Sequence, residues 1–158
     1  MKDLPVRKKI RLKDYDYSQN GCYFVTVCVK DRYSILWDAA VGAVCGRPQL
    51  SPIGIIVEAE IQKMGNVYLH IHIDKYIIMP NHIHMIIRVD ETDGRPQTAP
   101  TISWVVNMFK GSVSKQIGES IWQRSYHDHI IRNETGYQHI WQYIDTNPAQ
   151  WTEDCYYK

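Results

Sequence analysis

The chain has 158 residues, 44% hydrophobic and 22% charged, a composition typical of one domain that can bury its own core. Its net charge of +1 excludes a uniformly basic or acidic protein, and no apolar run approaches the ~20 residues of a membrane span. The four cysteines form no CxxC pair, and the basic amino terminus lacks the apolar segment of a secretory signal. We therefore expect reduced thiols and a cytoplasmic location.

The positive charge is concentrated at the amino terminus. Residues 1–13 carry six basic side chains against Asp3, a net charge of +5, so the rest of the chain sums to −4. A basic arm on a mildly acidic body can contact phosphates, although a solvated tail would have the same composition. We predict a single domain over residues 1–158 that begins with a basic arm at 1–13.

The first part of the chain predicts a strand followed by a helix. Residues 21–30 are apolar on both faces and rich in β-branched side chains, which is typical of a central strand. Residues 38–50 suggest a connection. Ser51-Pro52 then forms an N-cap and a first helical position, apolar residues follow at helical spacing to Met64, and Gly65-Asn66 supplies a stop.

The middle of the chain predicts two strands and a second helix. Residues 67–79 and 82–89 are apolar runs separated by a break at Pro80-Asn81, which favours a hairpin or a tight bend. Residues 90–100 are polar and rich in turn residues, so we expect a loop. Apolar side chains then recur at helical spacing between positions 102 and 117.

The last part of the chain predicts a fourth strand and a closing helix. The apolar and aromatic segment 121–131 favours a strand, and a helix follows from about Tyr137 that must end near Pro148. The order β-α-β-β-α-β-α predicts an α+β fold. Its antiparallel sheet would have the split βαβ (ferredoxin-like, βαββαβ) arrangement, with an additional C-terminal helix.

Three His-x-His pairs are present, at positions 70 and 72, 82 and 84, and 127 and 129. Residues two apart on a strand face the same way, so such a pair offers two nitrogens to a divalent metal. Only His82 and His84 lie in a strand whose neighbours predict cover on both faces. Two buried imidazoles need a metal or a hydrogen-bond network, because an unsatisfied buried group costs roughly 1–3 kcal/mol.

The other two pairs have simpler interpretations. His70 and His72 alternate with apolar residues and could form the solvent face of a half-exposed strand. His127 and His129 follow a polar stretch and could bind phosphate or pack against the last helix.

The predicted last helix offers a nucleophile beside such a metal. Tyr143 and Asn147 lie four residues apart and share one helix face, so one turn could present a phenol and an amide oxygen together. A nearby cation would favour the phenolate, and oxygen ligands suit Mg²⁺ or Mn²⁺. Tyr137 is a second tyrosine on the same helix. Pro148 disfavours helical geometry at Asn147, so we expect Asn147 at a frayed end.

These residues together resemble the HUH-type single-tyrosine transposases, and in particular the REP-associated tyrosine transposases. The likeness covers most of the chain. It rests on six motifs: Tyr15-Asp-Tyr-Ser18, Met79-Pro-Asn-His-Ile-His84, Phe109-Lys-Gly111, Trp122-Gln-Arg124, His129-Ile-Ile-Arg-Asn-Glu134 and Tyr143-Ile-x-x-Asn-Pro148.

The resemblance implies a mechanism and a partner. His82, His84 and Asn147 would hold a divalent metal, Mg²⁺ or Mn²⁺, while Tyr143 attacks a phosphate of single-stranded DNA. The products would be a 5′-phosphotyrosine link and a free 3′-OH. Such proteins recognise imperfect DNA hairpins, often repetitive extragenic palindromes. Some relatives exchange the tyrosine helix between two subunits and others are monomers, so both a monomer and a homodimer stay open.

Basic and aromatic side chains are the candidate DNA contacts. The basic candidates for backbone phosphates are Arg7, Lys8, Lys9, Arg11, Lys110, Arg124 and Arg132. The aromatic candidates for stacking on unpaired bases are Tyr15, Tyr17 and Trp104. Each could instead be an ordinary surface charge or a packed ring.

Three other functions compete with this one. A non-catalytic nucleic-acid-binding sheet would expose aromatics on its central strands, whereas residues 21–30 have the pattern of a buried strand. A zinc hydrolase would need a third His or Cys ligand and an adjacent general base. A domesticated relative that only binds DNA hairpins is the main alternative. The presence of both histidines, the tyrosine and the asparagine favours surviving cleavage chemistry.

Overall fold

A four-stranded antiparallel sheet carries helices on both of its faces. The computed structural model describes residues 20–38, 49–90 and 101–156. In chain order the elements are β1 (Gly21–Cys28), α1 (Pro52–Val67), β2 (Ile71–Ile78), β3 (His82–Val89), α2 (Ile102–Ile117), β4 (His127–Ile131) and α3 (Glu134–Thr146), with 3-10 turns at Lys30–Arg32 and Asn147–Glu153. The strand order is β2-β3-β1-β4. The predicted α+β class is confirmed.

The two faces of the sheet have different partners, because side chains alternate along each strand. The main core lies between the sheet and helices α1 and α2, and from β3 it takes Ile83, Met85 and Ile87. A smaller cluster on the opposite face joins Ile86 of β3 to Ile144 of α3. His82 and His84 therefore lie on the α3 face of a strand that is central and fully paired.

Helix α1 begins as the sequence predicts but ends later. The Ser51 hydroxyl accepts a hydrogen bond from the Gly54 N–H at 3.0 Å, and Pro52 is the first helical residue. The helix continues through Gly65 and ends only at Val67, so the predicted stop is wrong. For the same reason the strand predicted from position 67 is too long, and β2 begins at Ile71.

Helix α2 and strand β3 match their predicted ranges. The break at Pro80-Asn81 is a tight turn, in which the Met79 N–H donates a hydrogen bond to the His82 carbonyl at 2.8 Å. The strand predicted over 121–131 is wrong in its first half, since β4 covers only His127–Ile131. Ser125 adopts a positive φ of 68° just before it, which interrupts an extended chain.

Helix α3 begins at Glu134, three residues before the predicted start. The Asn133 carboxamide oxygen accepts the Gly136 N–H at 2.7 Å and caps the helix there. The predicted basic arm at 1–13, most of the predicted 38–50 connection and residues 91–100 of the predicted loop lie outside the described residues. Within the described ranges, no helix is both long and apolar enough to cross a membrane.

Two glycines of α1 provide a matched test of this packing. A Cβ on Gly54 would lie 2.2 Å from the Leu36 carbonyl oxygen, whereas a Cβ on Gly65 would meet no atom within 4 Å. We expect Gly54→Ala to lower the free energy of unfolding by about 1–3 kcal/mol. Gly65→Ala should raise it by about 0.5–1 kcal/mol, because alanine favours the helix. Urea denaturation measures both, and equal stabilities would contradict the packing of α1 described here.

Candidate active site

His82 and His84 converge on one point above the sheet. Their Nε2 atoms lie 3.0 Å apart, and the two residues are 0% and 1% exposed. Burial, with a smaller effect of the Arg32 charge, lowers the pKa of His82 to about 3. Burial, with a smaller effect of His82 and against the charge of Asp154, lowers the pKa of His84 to about 3. Both rings are therefore neutral near pH 7, the form in which imidazole binds a metal.

Each ring is oriented by a hydrogen bond to its far nitrogen. The Asn81 Oδ1 atom lies 2.8 Å from His82 Nδ1, and the Thr26 Oγ1 atom lies 2.8 Å from His84 Nδ1. The Asn81 amide nitrogen donates to the carbonyls of Arg32 and Tyr156 at 3.2 and 2.8 Å, so its oxygen faces the imidazole. This places the proton of His82 on Nδ1 and leaves its Nε2 free to bind a cation.

The carboxylate of Asp154 completes a metal-type cluster that sequence reasoning missed. One ligand atom from each of His82, His84 and Asp154 lies within 4.8 Å of the others, and an Asp154 oxygen is 3.9 Å from His82 Nε2. The Tyr156 N–H donates a hydrogen bond to the other carboxylate oxygen of Asp154 at 2.8 Å. Asp154 lies beyond Pro148, where the helical pattern stops, so no periodicity in the sequence points to it.

Asn147 is buried in a conformation that the sequence argued against. It is 3% exposed and helical (φ −55°, ψ −45°), although Pro148 follows it, so the expectation of a frayed end is wrong. Its amide oxygen has no hydrogen-bond partner among the described residues, while the amide group lies close enough to Tyr143 to act on the pKa of that phenol. A buried amide oxygen without a partner is costly, and a bound cation would satisfy it.

This donor set fits a divalent cation. Two neutral imidazoles and one carboxylate suit Mn²⁺, and oxygen atoms also suit Mg²⁺. The residues that could hold the metal are therefore His82, His84 and Asp154.

Tyr143 lies against the imidazole pair. Its hydroxyl oxygen is 3.4 Å from His84 Nε2, and its ring makes an edge contact with Phe24 at a centroid distance of 6.1 Å. Burial raises the pKa of the Tyr143 phenol, the charge of Asp154 raises it further, and the neighbouring amide of Asn147 opposes them. The side chain is nevertheless 40% exposed, so the phenol is accessible.

The second tyrosine of α3 is bound elsewhere. Tyr137 donates to the Asp74 carboxylate at 3.0 Å, and its burial, with Asp74 adding to the effect, raises its pKa to about 12. Lys75 of β2 pairs with Asp145 and lies 4.1 Å from the centroid of the Trp141 ring. These contacts fix α3 over β2 of its own chain. On this helix Tyr143, and not Tyr137, lies at the histidines, while Tyr156 of the following segment packs on His82.

The other predicted positions do not join this cluster. His72 pairs with Asp90 at 2.7 Å, whereas His127 and His129 are exposed on β4. The Lys110 ammonium, a predicted DNA contact, instead donates to the carbonyls of Gln123 and Ser125 at 2.8 and 2.9 Å. Two predicted DNA contacts, Arg124 and Arg132, are exposed. The others in the amino-terminal arm, Arg7, Lys8, Lys9, Arg11 and Tyr15, lie outside the described residues, as does Tyr17.

Comparison with solved structures defines the fold class. The structure of a REP-associated tyrosine transposase bound to a REP hairpin superposes with a TM-score of 0.66 at 22% sequence identity, and the match covers 89% of this chain and 74% of that one. The chain therefore has the fold of that transposase. The resemblance predicted from the sequence motifs is confirmed at the level of the fold.

Sequence comparison identifies a relative along nearly the whole chain. An uncharacterized protein of Haemophilus influenzae is 33% identical over 172 aligned positions, which cover 96% of this chain and 93% of that protein. The chain belongs to the same family as this Haemophilus influenzae protein. No family model matches the chain.

The two orienting hydrogen bonds can be tested through metal affinity. We expect Asn81→Ala and Thr26→Val each to weaken Mn²⁺ binding by about 10–100-fold, because the imidazoles lose the groups that orient them. Isothermal titration with Mn²⁺ measures this directly. Asn81→Asp keeps an oxygen toward His82 and should lose less, while Asn66→Ala on α1 serves as a control. Unchanged affinity in folded Asn81→Ala and Thr26→Val would contradict this role.

Proposed function

We propose that the protein is a metal-dependent single-stranded DNA endonuclease and transposase of the HUH type, which cleaves and rejoins DNA near hairpins through a 5′-phosphotyrosine. One observation carries this proposal. A partly exposed phenol, that of Tyr143, lies 3.4 Å from a buried imidazole whose Nε2 atom is 3.0 Å from a second one. A nucleophile, a neutral ligand pair and an acidic neighbour at one point are the parts that phosphoryl transfer to tyrosine needs.

The chemistry is a phosphoryl transfer in two reversible steps. The Tyr143 oxygen forms a bond to phosphorus and its proton passes to solvent. The bond to the O3′ oxygen breaks, and that oxygen leaves with the electron pair and takes up a proton. When bound, the cation would neutralise the non-bridging phosphate oxygens and favour the phenolate. Attack by a 3′-OH on the phosphotyrosine reverses the step, so rejoining needs no external energy source.

The residues of the chain have separate tasks in this scheme. His82 and His84, oriented from Asn81 and Thr26, would supply nitrogen ligands and Asp154 an oxygen ligand. The buried oxygen of Asn147 is a further candidate ligand. Helix α3 orients Tyr143 because the helix is anchored on β2. Tyr137 of α3 donates to Asp74 of β2, and Lys75 of β2 lies over the Trp141 ring of α3. Because α3 packs on the sheet of its own chain, the geometry supports a site that is complete in one monomer.

A DNA hairpin is the substrate class that the comparison supports. The transposase of the same fold is bound to a REP hairpin in its structure. The exposed Arg124 and Arg132 are candidate phosphate contacts, and the arm at Arg7–Arg11 would add more positive charge.

A second candidate is a hairpin-binding protein of the same fold that does not cleave. The cover over His82 favours it: the Tyr156 and Trp151 rings lie 4.4 and 5.9 Å from the imidazole, by centroid distance, and His82 has no exposed surface.

Covalent trapping distinguishes the two candidates. The full chain is incubated with labelled hairpin oligonucleotides carrying single-stranded flanks and Mn²⁺, then separated on a denaturing gel. We expect a metal-dependent protein–DNA band that is absent in Tyr143→Phe and present in Tyr137→Phe, because the Tyr143 hydroxyl lies at His84 whereas the Tyr137 hydroxyl is bound to Asp74. Hairpin binding without an adduct under Mg²⁺ or Mn²⁺ would support the non-catalytic candidate, and an adduct that survives in Tyr143→Phe would refute the assigned nucleophile.

A further inference from the structure

The Asp154 carboxylate lies in a part of the chain that belongs to neither a strand nor an α-helix. It directly follows the 3-10 turn Asn147–Glu153. We propose that Arg32, on the 3-10 turn after β1, is a positioning residue that holds Asp154 at the two histidines. The inference rests on the metal site of the proposed function and assigns to that site a residue outside its donor set.

Arg32 contacts both of the residues that follow Asp154. Its Nη1 atom donates to the Cys155 carbonyl at 3.4 Å, and its guanidinium carbon lies 5.4 Å from the centroid of the Tyr156 ring. A guanidinium at this distance over an aromatic ring is attracted to it by a cation–π interaction. One side chain therefore binds the backbone and a ring of the segment directly after the carboxylate.

Tyr156 connects Arg32 to the carboxylate. The Tyr156 N–H donates to a carboxylate oxygen of Asp154 at 2.8 Å, and the Tyr156 ring lies 4.4 Å from the His82 ring by centroid distance. The Tyr156 carbonyl has a separate partner, because the Asn81 amide nitrogen donates to it at 2.8 Å. A shift of Tyr156 away from Arg32 would therefore move the carboxylate relative to the imidazoles.

The turn that carries Arg32 is itself held in place. Arg32 has a φ of 57° and Asp31 a φ of 55°, a left-handed backbone that residues other than glycine seldom adopt. The Arg32 N–H donates to the Val29 carbonyl at 3.1 Å, and the Arg32 carbonyl accepts from the Asn81 amide at 3.2 Å. Strained backbone of this kind persists where surrounding contacts hold it, and it is frequent at functional sites. Since Asn81 also orients His82, Arg32 and the histidine share one anchor.

Charge alone would not favour an arginine at this place. After burial, the charge of Arg32 is the second cause that lowers the pKa of His82, so the guanidinium lies near enough to repel a metal ion there. Its contacts with Cys155 and Tyr156 give it a different role. The two roles predict opposite results, since loss of a repelling charge would strengthen metal binding and loss of a positioning residue would weaken it.

Isothermal titration of the full chain with Mn²⁺, without DNA, tests this role. We expect Arg32→Met to weaken Mn²⁺ binding about tenfold, the range in which residues that orient metal ligands act. Arg32→Lys should lose less, because an ammonium can still donate to the Cys155 carbonyl and lie over the Tyr156 ring. The control is Lys115→Met, which removes an exposed positive charge from α2 and should leave the affinity unchanged.

Two further measurements separate positioning from a general effect on the fold. In an Asp154→Ala background, Arg32→Met should not weaken Mn²⁺ binding further, because Arg32 acts through that carboxylate. Amide hydrogen exchange of the metal-free chain should be faster at the Tyr156 N–H in Arg32→Met and unchanged there in Lys115→Met, since this N–H is bonded to Asp154.

The outcomes separate this inference from the proposed function. Equal or tighter Mn²⁺ binding in folded Arg32→Met, an undiminished loss in the Asp154→Ala background, or failure of the unmodified chain to bind Mn²⁺ would each overturn it. In the first two cases a metal-dependent Tyr143 adduct would leave the proposed function standing. Conversely, weaker Mn²⁺ binding that depends on Asp154, together with the absence of any adduct, would support the role of Arg32 and refute the cleavage reaction.

Discussion

The burial of two imidazoles on a central strand is the constraint on which the rest of the site depends. His82 and His84 have almost no exposed surface, and a polar group in such a place destabilises the fold unless it finds partners. Asn81 and Thr26 supply one partner each, and the two Nε2 atoms are directed at each other at 3.0 Å. An apolar pair would pack in this strand without any of these contacts, whereas His82, His84 and Asp154 together could hold a metal.

Asn81 connects the histidines to the carboxyl-terminal segment. Its amide group contacts His82, the Arg32 carbonyl and the Tyr156 carbonyl, and the Tyr156 N–H in turn holds Asp154. The turn between β2 and β3 and the segment after α3 are thus fixed by one side chain. This explains how a carboxylate more than seventy residues away along the chain reaches the histidines.

Helix α3 shows how one element separates two chemically similar groups. Tyr137 and Tyr143 lie on the same helix, yet the first donates to Asp74 and the second contacts His84. The hydrogen bond of Tyr137 and the ion pair of Lys75 with Asp145 anchor the helix on β2. The Tyr143 ring, farther along the helix, contacts Phe24 of β1.

Local signals in the sequence predicted the parts of the structure that local physics determines. The range of β3, the range of α2 and the Ser51 cap follow from periodicity and capping, and the structure confirms them. The burial of the His82 and His84 pair was also predictable, because its neighbours are apolar on both faces.

Other parts depend on contacts that no local pattern encodes. Asp154 lies at the site because Asn81 binds the Tyr156 carbonyl of the same segment, and Asn147 stays helical against the preference imposed by Pro148. Strand β4 is short because the positive φ at Ser125 interrupts the pairing with β1, which Gln123 begins at Cys28 and His127 resumes at Thr26.

Anomalous diffraction at the manganese edge, from crystals grown with Mn²⁺, tests the central claim most directly. The account predicts one ion at coordination distance from both His82 Nε2 and His84 Nε2, with Asp154 or Asn147 supplying oxygen. An ion bound instead at the exposed His72 and Asp90 pair, or no ion at the two buried imidazoles, would contradict it.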